Sequence, residues 1–431
     1  MWGLYTLIGV GMLLRIFSFS WNYIPHGDVD TDVQVAQWLA TIGEFMIDPE
    51  AETIMIGQVP YDVSELGGER SIQHPPLWAL LGAGTMHFLG LPLNAGGAYF
   101  AYRLLSLLSG AVVLWLSFVV TRRFVDAQAA WIVTGLLAVS WLMIDYSGNG
   151  SFYMLQTVFY LLWLIIVSEK MTIDRKALAL GAICGAAYML SYQSIFMIGA
   201  SVIALFVEHR KSLLNVARGS IIVIAVTIII ALPWLIRSYL LFGDPMFGHT
   251  VNTVGYLYEK AGIYTETVAT TFFGMVKVAN FSLNHWLINN LYYIARKLFI
   301  LAPVAFIFFA YALVEYMFDR KRFRKMLPIL LLLGLHMAIS AAWPITKFRF
   351  FVPMLPLVLI LAFEHIKHLK FDAKKKQLVI GGTFAAFILL SALTWYDEPT
   401  HTYYYDGALT NDPFRDTEAE YQFMLDHGYK E

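Results

Sequence analysis

Apolar residues come in runs of roughly 20 along most of the chain, the length a helix needs to cross a hydrocarbon layer, with polar residues gathered in the gaps between them. Such runs cover residues 2–21, 100–121, 129–148, 152–168, 177–194, 195–208, 219–236, 297–318, 327–343, 351–366 and 377–395. The stretch 177–208 is continuous apart from SYQS at Ser191 to Ser194, and 195–208 is short for a full span. The first run, MWGLYTLIGVGMLLRIFSFSW, has neither a basic flank nor a small-residue cleavage site, so it reads as a retained helix rather than a leader. After it the pattern breaks. The stretch IPHGDVDTDVQVAQWLATIGEF, from Ile24 to Phe45, sets Asp28, Asp30 and Asp32 within five residues beside an apolar helix.

Composition agrees with the pattern. The 431 residues are 58% hydrophobic and 14% charged, and the mean hydropathy is +0.61. A soluble domain carries about 25% charged residues, so the chain is expected to be an all-α, multi-pass integral membrane protein embedded among membrane lipids. The net charge of −1 offers no basic field for nucleic acid. The single cysteine, Cys184, lies in an apolar run and reads as a core residue.

Lys and Arg set the expected orientation, because short cytoplasmic loops collect them. Five clusters hold more than half of the 30 basic residues: Arg122 and Arg123; Lys170, Arg175 and Lys176; Arg210, Lys211 and Arg218; Asp319 to Lys325; and Lys367 to Lys376. The run from His74 to Gly90 is apolar but short and decides between two arrangements. If it does not cross, the clusters share the side of the N-terminus, that side is cytoplasmic, and about eleven spans result. If it crosses, the clusters face the aspartates instead. The first arrangement is preferred, with 74–90 as an interfacial or re-entrant helix. It makes 1–395 one transmembrane domain, with 22–99 as a first, helical extracytoplasmic loop, 238–296 as a second outer loop rich in aromatics, and 396–431 as an outer tail. The plasma or inner membrane is the expected location.

Each polar residue singled out also has a plain structural reading. A loop after a helix often carries acids, and Asp28 can cap a helix. Arg237 at a helix end can snorkel to head groups, and Tyr192 can belong to an interfacial aromatic belt. The functional alternative is that a carboxylate at the membrane edge removes a hydroxyl proton, or holds a divalent cation such as Mg or Mn with its neighbour. An arginine there would grip a lipid phosphate with its fork of donors.

The order of motifs resembles a known family. After the Asp-led loop come HPPLWALL, YRLLSLLSG ending in TRRF, LPWLIRSYLLFGDPMF and FRFFVPMLPLVLILA. Over roughly residues 1–366 this is similar to the C-type (GT-C) glycosyltransferases, in particular the protein O-mannosyltransferase and aminoarabinose transferase superfamily, which is glycosyltransferase family 39-like. Pro-Trp-x-x-Arg…Phe-Gly-x-Pro and Arg-Phe-x-x-Pro-x-x-Pro are specific together; HPPL alone is weak. Asp28, Ala36 and Gly43 keep the family spacing of aspartate, alanine and glycine, so the resemblance makes Asp28 the catalytic aspartate. Val29 stands where the family has Glu, which leaves the role open between Asp28 and Asp30, and either or both are the candidate metal ligands. Gln73-His74 replaces a Glu-Lys pair, and SYQS replaces a Thr-Lys pair.

The resemblance implies a GT-C fold with about eleven transmembrane helices. It also implies an inverting transfer of a sugar, of the hexosyl or mannosyl type, from a polyprenyl-phosphate-linked donor to a hydroxyl acceptor. Arg237, Arg349, His74 and Arg103 become candidate donor-phosphate ligands. Asp32, Gln73, Asp145, Asn149, Tyr192, Gln193 and Lys347 become candidate substrate contacts. The rival from another class is a transporter or flippase for a lipid-linked saccharide. It would place polar residues at mid-membrane, and Arg15 in the first run is the main residue of that kind.

Overall fold

The structure, a computed structural model, describes residues 2–21, 27–46, 53–56, 59–62, 74–243, 245–246, 287–342, 348–370 and 372–397. Gln73, Lys347, most of the second outer loop and the tail beyond 397 lie outside the described residues.

Fifteen helices are described. They are α1 (Trp2–Trp21), α2 (Gly27–Ile42), α3 (Leu77–Leu89), α4 (Ala95–Phe124), α5 (Ala127–Val139), α6 (Trp141–Gly148), α7 (Tyr153–Ser168), α8 (Ile173–Leu190), α9 (Phe196–His209), α10 (Leu213–Phe242), α11 (Leu287–Leu301), α12 (Pro303–Phe318), α13 (Arg320–Ala342), α14 (Met354–His368) and α15 (Ala373–Asp397). Short 3₁₀ turns occupy Tyr192–Ile195 and Phe348–Phe351. Every expected apolar run falls on helix. Among the described residues, however, four helices are long and apolar enough to cross a membrane on their own: Ala95–Phe124, Tyr192–His209, Leu213–Leu241 and Arg320–Ala341. The pair α5 and α6, bent by 59°, passes the same test together and makes a fifth if the two form one span.

Three expectations change in detail. The first loop is not wholly helical: Thr53–Ile56 and Val59–Asp62 pair as antiparallel strands β1 and β2, with Ile56 opposite Val59. The run 297–318 is not one helix, because Pro303 takes the first position of α12 and α11 ends two residues before it. Proline lacks an N–H and suits that position, so it opens a helix rather than continuing one. The run 129–148 breaks at Ser140, which is extended with φ −67° and ψ 119°.

That last break explains Arg15. The final carbonyls of α5 have no helical donors. Arg15, fully buried in α1, donates to the carbonyls of Leu137 and Ala138 at 3.1 Å each, to Gly11 at 2.9 Å, and to the Ser147 hydroxyl on α6 at 3.1 Å. A guanidinium at a helix C-terminus also meets the negative end of its dipole. Arg15 thus caps the break between α5 and α6.

α4 forms the centre, packed against α1, α2, α3, α5, α6 and α7. α14 is buried on every side from Met354 to Ile366, the sign of a helix enclosed by others. Cys184 is buried on α8, as expected of a core residue. The five basic clusters are drawn to one end of the bundle by ion pairs. Arg123 pairs with Glu169, Lys176 with Glu208, Arg218 with Asp174, Lys367 with Asp126, and Arg322 with Glu315 and Glu364. Arg103 lies on α4 about 30 Å from Arg123 at 1.5 Å per residue, so the candidate site occupies the other end.

Candidate functional site at the acidic end of the bundle

α2 supplies the acids. Asp28 stands in its first turn, where the helix dipole favours a carboxylate, and Asp32 stands one turn later. The side chains of Asp28 and Asp30 lie outside the described residues. Asp32 is buried, and its Oδ1 lies 2.8 Å from Nδ1 of His74. An ionised carboxylate only accepts, so Nδ1 of His74 carries the proton in this pair. Tyr102 on α4 donates to the backbone carbonyl of Asp32 at 2.9 Å. The aspartate turn is therefore held from two sides. Ala36 is fully buried where α2 packs on α3 and α4, and a larger side chain there would push the helices apart.

α3 completes this wall. It has 13 residues, about 20 Å of helix against roughly 30 Å of hydrocarbon. Trp78 stacks on Tyr102 with ring centroids 5.1 Å apart and donates to the carbonyl of Gly150 at 3.3 Å. Gly82 faces the same tyrosine so closely that a Cβ would sit 2.6 Å from its ring. The 148–151 loop is stitched to α4 as well: Arg103 donates to Gly148 at 3.0 Å and Ser106 to Ser151 at 2.7 Å. Gly150 has φ +86°, a left-handed conformation, and faces Tyr99, Tyr102 and Arg103. The Arg103 guanidinium rests 4.1 Å from the Phe19 ring. Asp145 and Asn149 are buried beside this loop, and the Asn149 side chain accepts from the Ser151 N–H.

The second half of the site is cationic. Arg237 on α10 donates to the carbonyl of Phe45 at 3.2 Å and lies 4.7 Å from the Trp234 ring, three residues earlier on the same helix. Trp234 donates to the Tyr192 hydroxyl at 2.9 Å. Gly43, with φ +78°, ends α2 and turns the chain back, so that Phe45 joins Leu39 against Val35 and Ala79. Arg237 is thereby tied to the segment that follows the C-terminus of α2.

A third cation arrives on the 348–351 turn, where Arg349 is buried beside Phe350. The Arg-Phe-x-x-Pro-x-x-Pro block has a local reason here. Pro353 is the N-cap of α14 and Pro356 lies in its first turn, where no helical N–H is required. Gln193 is half-buried next to Tyr192. Among the described residues, no three His, Cys, Asp or Glu side chains converge on a metal site.

No family model matches the chain, and no curated protein matches it by sequence. Solved structures do match. ArnT from Cupriavidus metallidurans bound to undecaprenyl phosphate superposes with a TM-score of 0.56 at 16% identity, over 89% of this chain and 63% of its own. The archaeal oligosaccharyltransferase AglB from Archaeoglobus fulgidus, in complex with an inhibitory peptide and a dolichol-phosphate, gives 0.57 at 12% identity, over 98% and 59%. The Archaeoglobus fulgidus oligosaccharyltransferase in complex with zinc and sulfate gives 0.58 at 15%, over 98% and 56%. The chain has the GT-C fold.

At these identities the likeness is one of fold, and the chain spans 56–63% of the length of those proteins. Within the GT-C frame, the expected residues fall into three groups. Asp28, Asp30, Asp32, His74, Arg103, Asp145 and Asn149 lie around the N-terminal turns of α2 and α4. Arg237, Tyr192 and Gln193 lie by the far half of α2, and Arg349 sits on its own turn. Sequence reading missed Tyr102, Trp78, Phe45 and Trp234. Trp234 had a signal, since its three-residue spacing from Arg237 puts both on one helix face.

Proposed function

We propose that the protein is an inverting GT-C glycosyltransferase that moves a sugar from a polyprenyl-phosphate-linked donor to a hydroxyl acceptor on the extracytoplasmic face. The observation that carries this reading is the geometry around α2: an aspartate turn braced by His74 and Tyr102, with Arg237 of α10 donating to Phe45 just past the Gly43 turn that ends the helix. The gathering of all five basic clusters at the other end fits a cytoplasmic side there.

In this mechanism Asp28 takes the acceptor proton while the hydroxyl oxygen attacks the anomeric carbon. The bond from that carbon to the phosphate oxygen breaks, its electron pair leaves with the polyprenyl phosphate, and configuration inverts in one step. Asp30 is the alternative base. Arg237 and Arg349 stabilise the phosphate as it gains charge. His74, bonded to Asp32, and Arg103, bonded to Gly148, act by holding the two loops. The nearly uncharged midplanes favour an enzyme over a flippase, and Arg15, the main exception, is engaged by four hydrogen bonds as a helix cap.

The test is reconstitution of the purified chain with undecaprenyl-phosphate and dolichyl-phosphate sugars and simple alcohol acceptors. Release of free polyprenyl phosphate with a new glycoside of inverted configuration is expected. Translocation of lipid-linked sugar across vesicles without any new glycosidic bond would sink the proposal in favour of a flippase.

A further inference from the structure

A line of buried polar side chains crosses the interior between the two 3₁₀ turns that carry site residues. The carbonyl of Phe350, in the turn that bears Arg349, lies 2.9 Å from Nε2 of His336 on α13. A carbonyl can only accept, so Nε2 carries the proton. In that neutral tautomer Nδ1 is an acceptor, and the Tyr160 hydroxyl on α7 donates to it at 2.7 Å. Tyr160 in turn accepts from the Gln156 amide at 3.4 Å, and the same amide reaches the Ser194 hydroxyl at 3.3 Å. Ser194 belongs to the turn of Tyr192, whose hydroxyl accepts from Trp234 beneath Arg237. His336, Tyr160, Gln156 and Ser194 are all essentially inaccessible. The proposed chemistry uses none of them.

Packing alone does not call for these residues. Apolar side chains of similar size would hold α7 against α13 without the desolvation penalty of buried polar groups. What a directional hydrogen-bonded line adds is position: it ties the turn at one end to the turn at the other. The line ends on the backbone carbonyl next to Arg349, where a ring rotation would move the turn itself.

We propose that His336 is a positioning residue that sets the 348–351 turn, and with it the Arg349 guanidinium, against the Tyr192–Trp234–Arg237 group. The proposal rests on the reading of Arg349 as a ligand of the donor phosphate. Tyr160 orients the imidazole, and Gln156 orients Tyr160.

The experiment measures binding of undecaprenyl phosphate to the purified full chain in detergent, together with donor KM and kcat. His336→Phe should weaken binding and raise donor KM about tenfold, the scale of one misplaced buried hydrogen bond, and lower kcat as well, because Arg349 also stabilises the phosphate as it gains charge. His336→Gln, whose amide can still donate to Phe350, should recover most of that loss. Combining His336→Phe with Arg349→Ala should be no worse than Arg349→Ala alone, because the first variant acts through the second residue. Native affinity in a well-folded His336→Phe, or losses that simply add in the double variant, overturns the proposal. Should His336→Phe not fold, Tyr160→Phe removes one hydroxyl only. It should raise donor KM a few-fold, and an unchanged KM overturns the proposal equally. Wild-type affinity in Arg349→Ala would remove the phosphate role and this proposal with it. A wild-type chain that binds no polyprenyl phosphate marks instead the failure of the functional reading.

Discussion

The two ends of the bundle differ in what is packed around their arginines. At the basic end, arginine meets carboxylate. Arg322 donates to Glu315 at 2.5 Å and to both oxygens of Glu364 at 2.7 and 3.1 Å, while Tyr316 donates to Glu364 at 2.7 Å. At the acidic end, Arg237 is held by a carbonyl and two aromatic faces, and Arg103 by a carbonyl and the rings of Phe19 and Tyr99. A carboxylate both places an arginine and cancels its charge. A carbonyl or a ring face also places an arginine, through a dipole or a quadrupole rather than an opposite charge.

This contrast breaks or sharpens on four measurements. The largest effect is expected from Asp28→Asn, which should lower transfer by about 10²–10⁴-fold, the range for a lost general base, with the unfolding midpoint unchanged. Near-normal turnover would take the chemistry away from the acidic end, whereas an inactive Asp30→Asn beside an active Asp28→Asn would move the base by two residues. Next, Arg322→Ala should cost about 3–5 kcal/mol of stability, because it strands the buried Glu364 carboxylate. Donor KM should not move in the surviving folded fraction; a large KM change there would erase the distinction between the ends.

Arg237→Ala should behave in the reverse manner, with donor binding weakened by about 2–5 kcal/mol and little change in melting. Arg237→Lys should restore only part of it, since lysine lacks the planar fork. Full rescue by lysine, with little effect from alanine, would mark Arg237 as a lipid-facing anchor. The smallest effect belongs to the basic end. Partial burial works to raise the Asp126 carboxyl, but the Ala129 N–H, Lys367 and the Gln128 N–H outweigh it and hold the group below its ordinary value. A lowered folded-state value means that its contribution is present above the unfolded pKa and fades as pH falls through the folded one. Asp126→Ala, which also removes the N-cap of α5, should cost about 1 kcal/mol near neutral pH and progressively less in acid. A loss that stays constant with pH would mean that the cap geometry alone matters.

Much of the fold was legible because it is written in short-range patterns. Apolar runs of membrane length became helices, the short 74–90 run became the short α3, and the clustered Lys and Arg residues came to one end. The Asp28–Ala36–Gly43 spacing has a local meaning: an acid in the first turn, a small residue where helices touch, and a left-handed turn at the end. The Trp234–Arg237 pair and the Pro353–Pro356 pair are likewise readable from helical spacing and from proline's missing N–H.

What stayed hidden depends on residues far apart in the chain. Nothing near Arg15 announces that it caps carbonyls more than 120 residues away, or near Tyr160 that it turns His336, 176 residues on. Arg103 and His74 read as phosphate ligands in sequence, and only the folded loops engage them with Gly148 and Asp32. Periodicity reports which face of a helix is buried, because burial follows from 3.6 residues per turn. It carries no record of which helix lies opposite. The sequence by itself therefore determined the membrane class, the helices and the residue types available for chemistry. The tertiary structure alone decided their partners, because a directional hydrogen bond or a ring contact exists only once two distant helices are packed at one register.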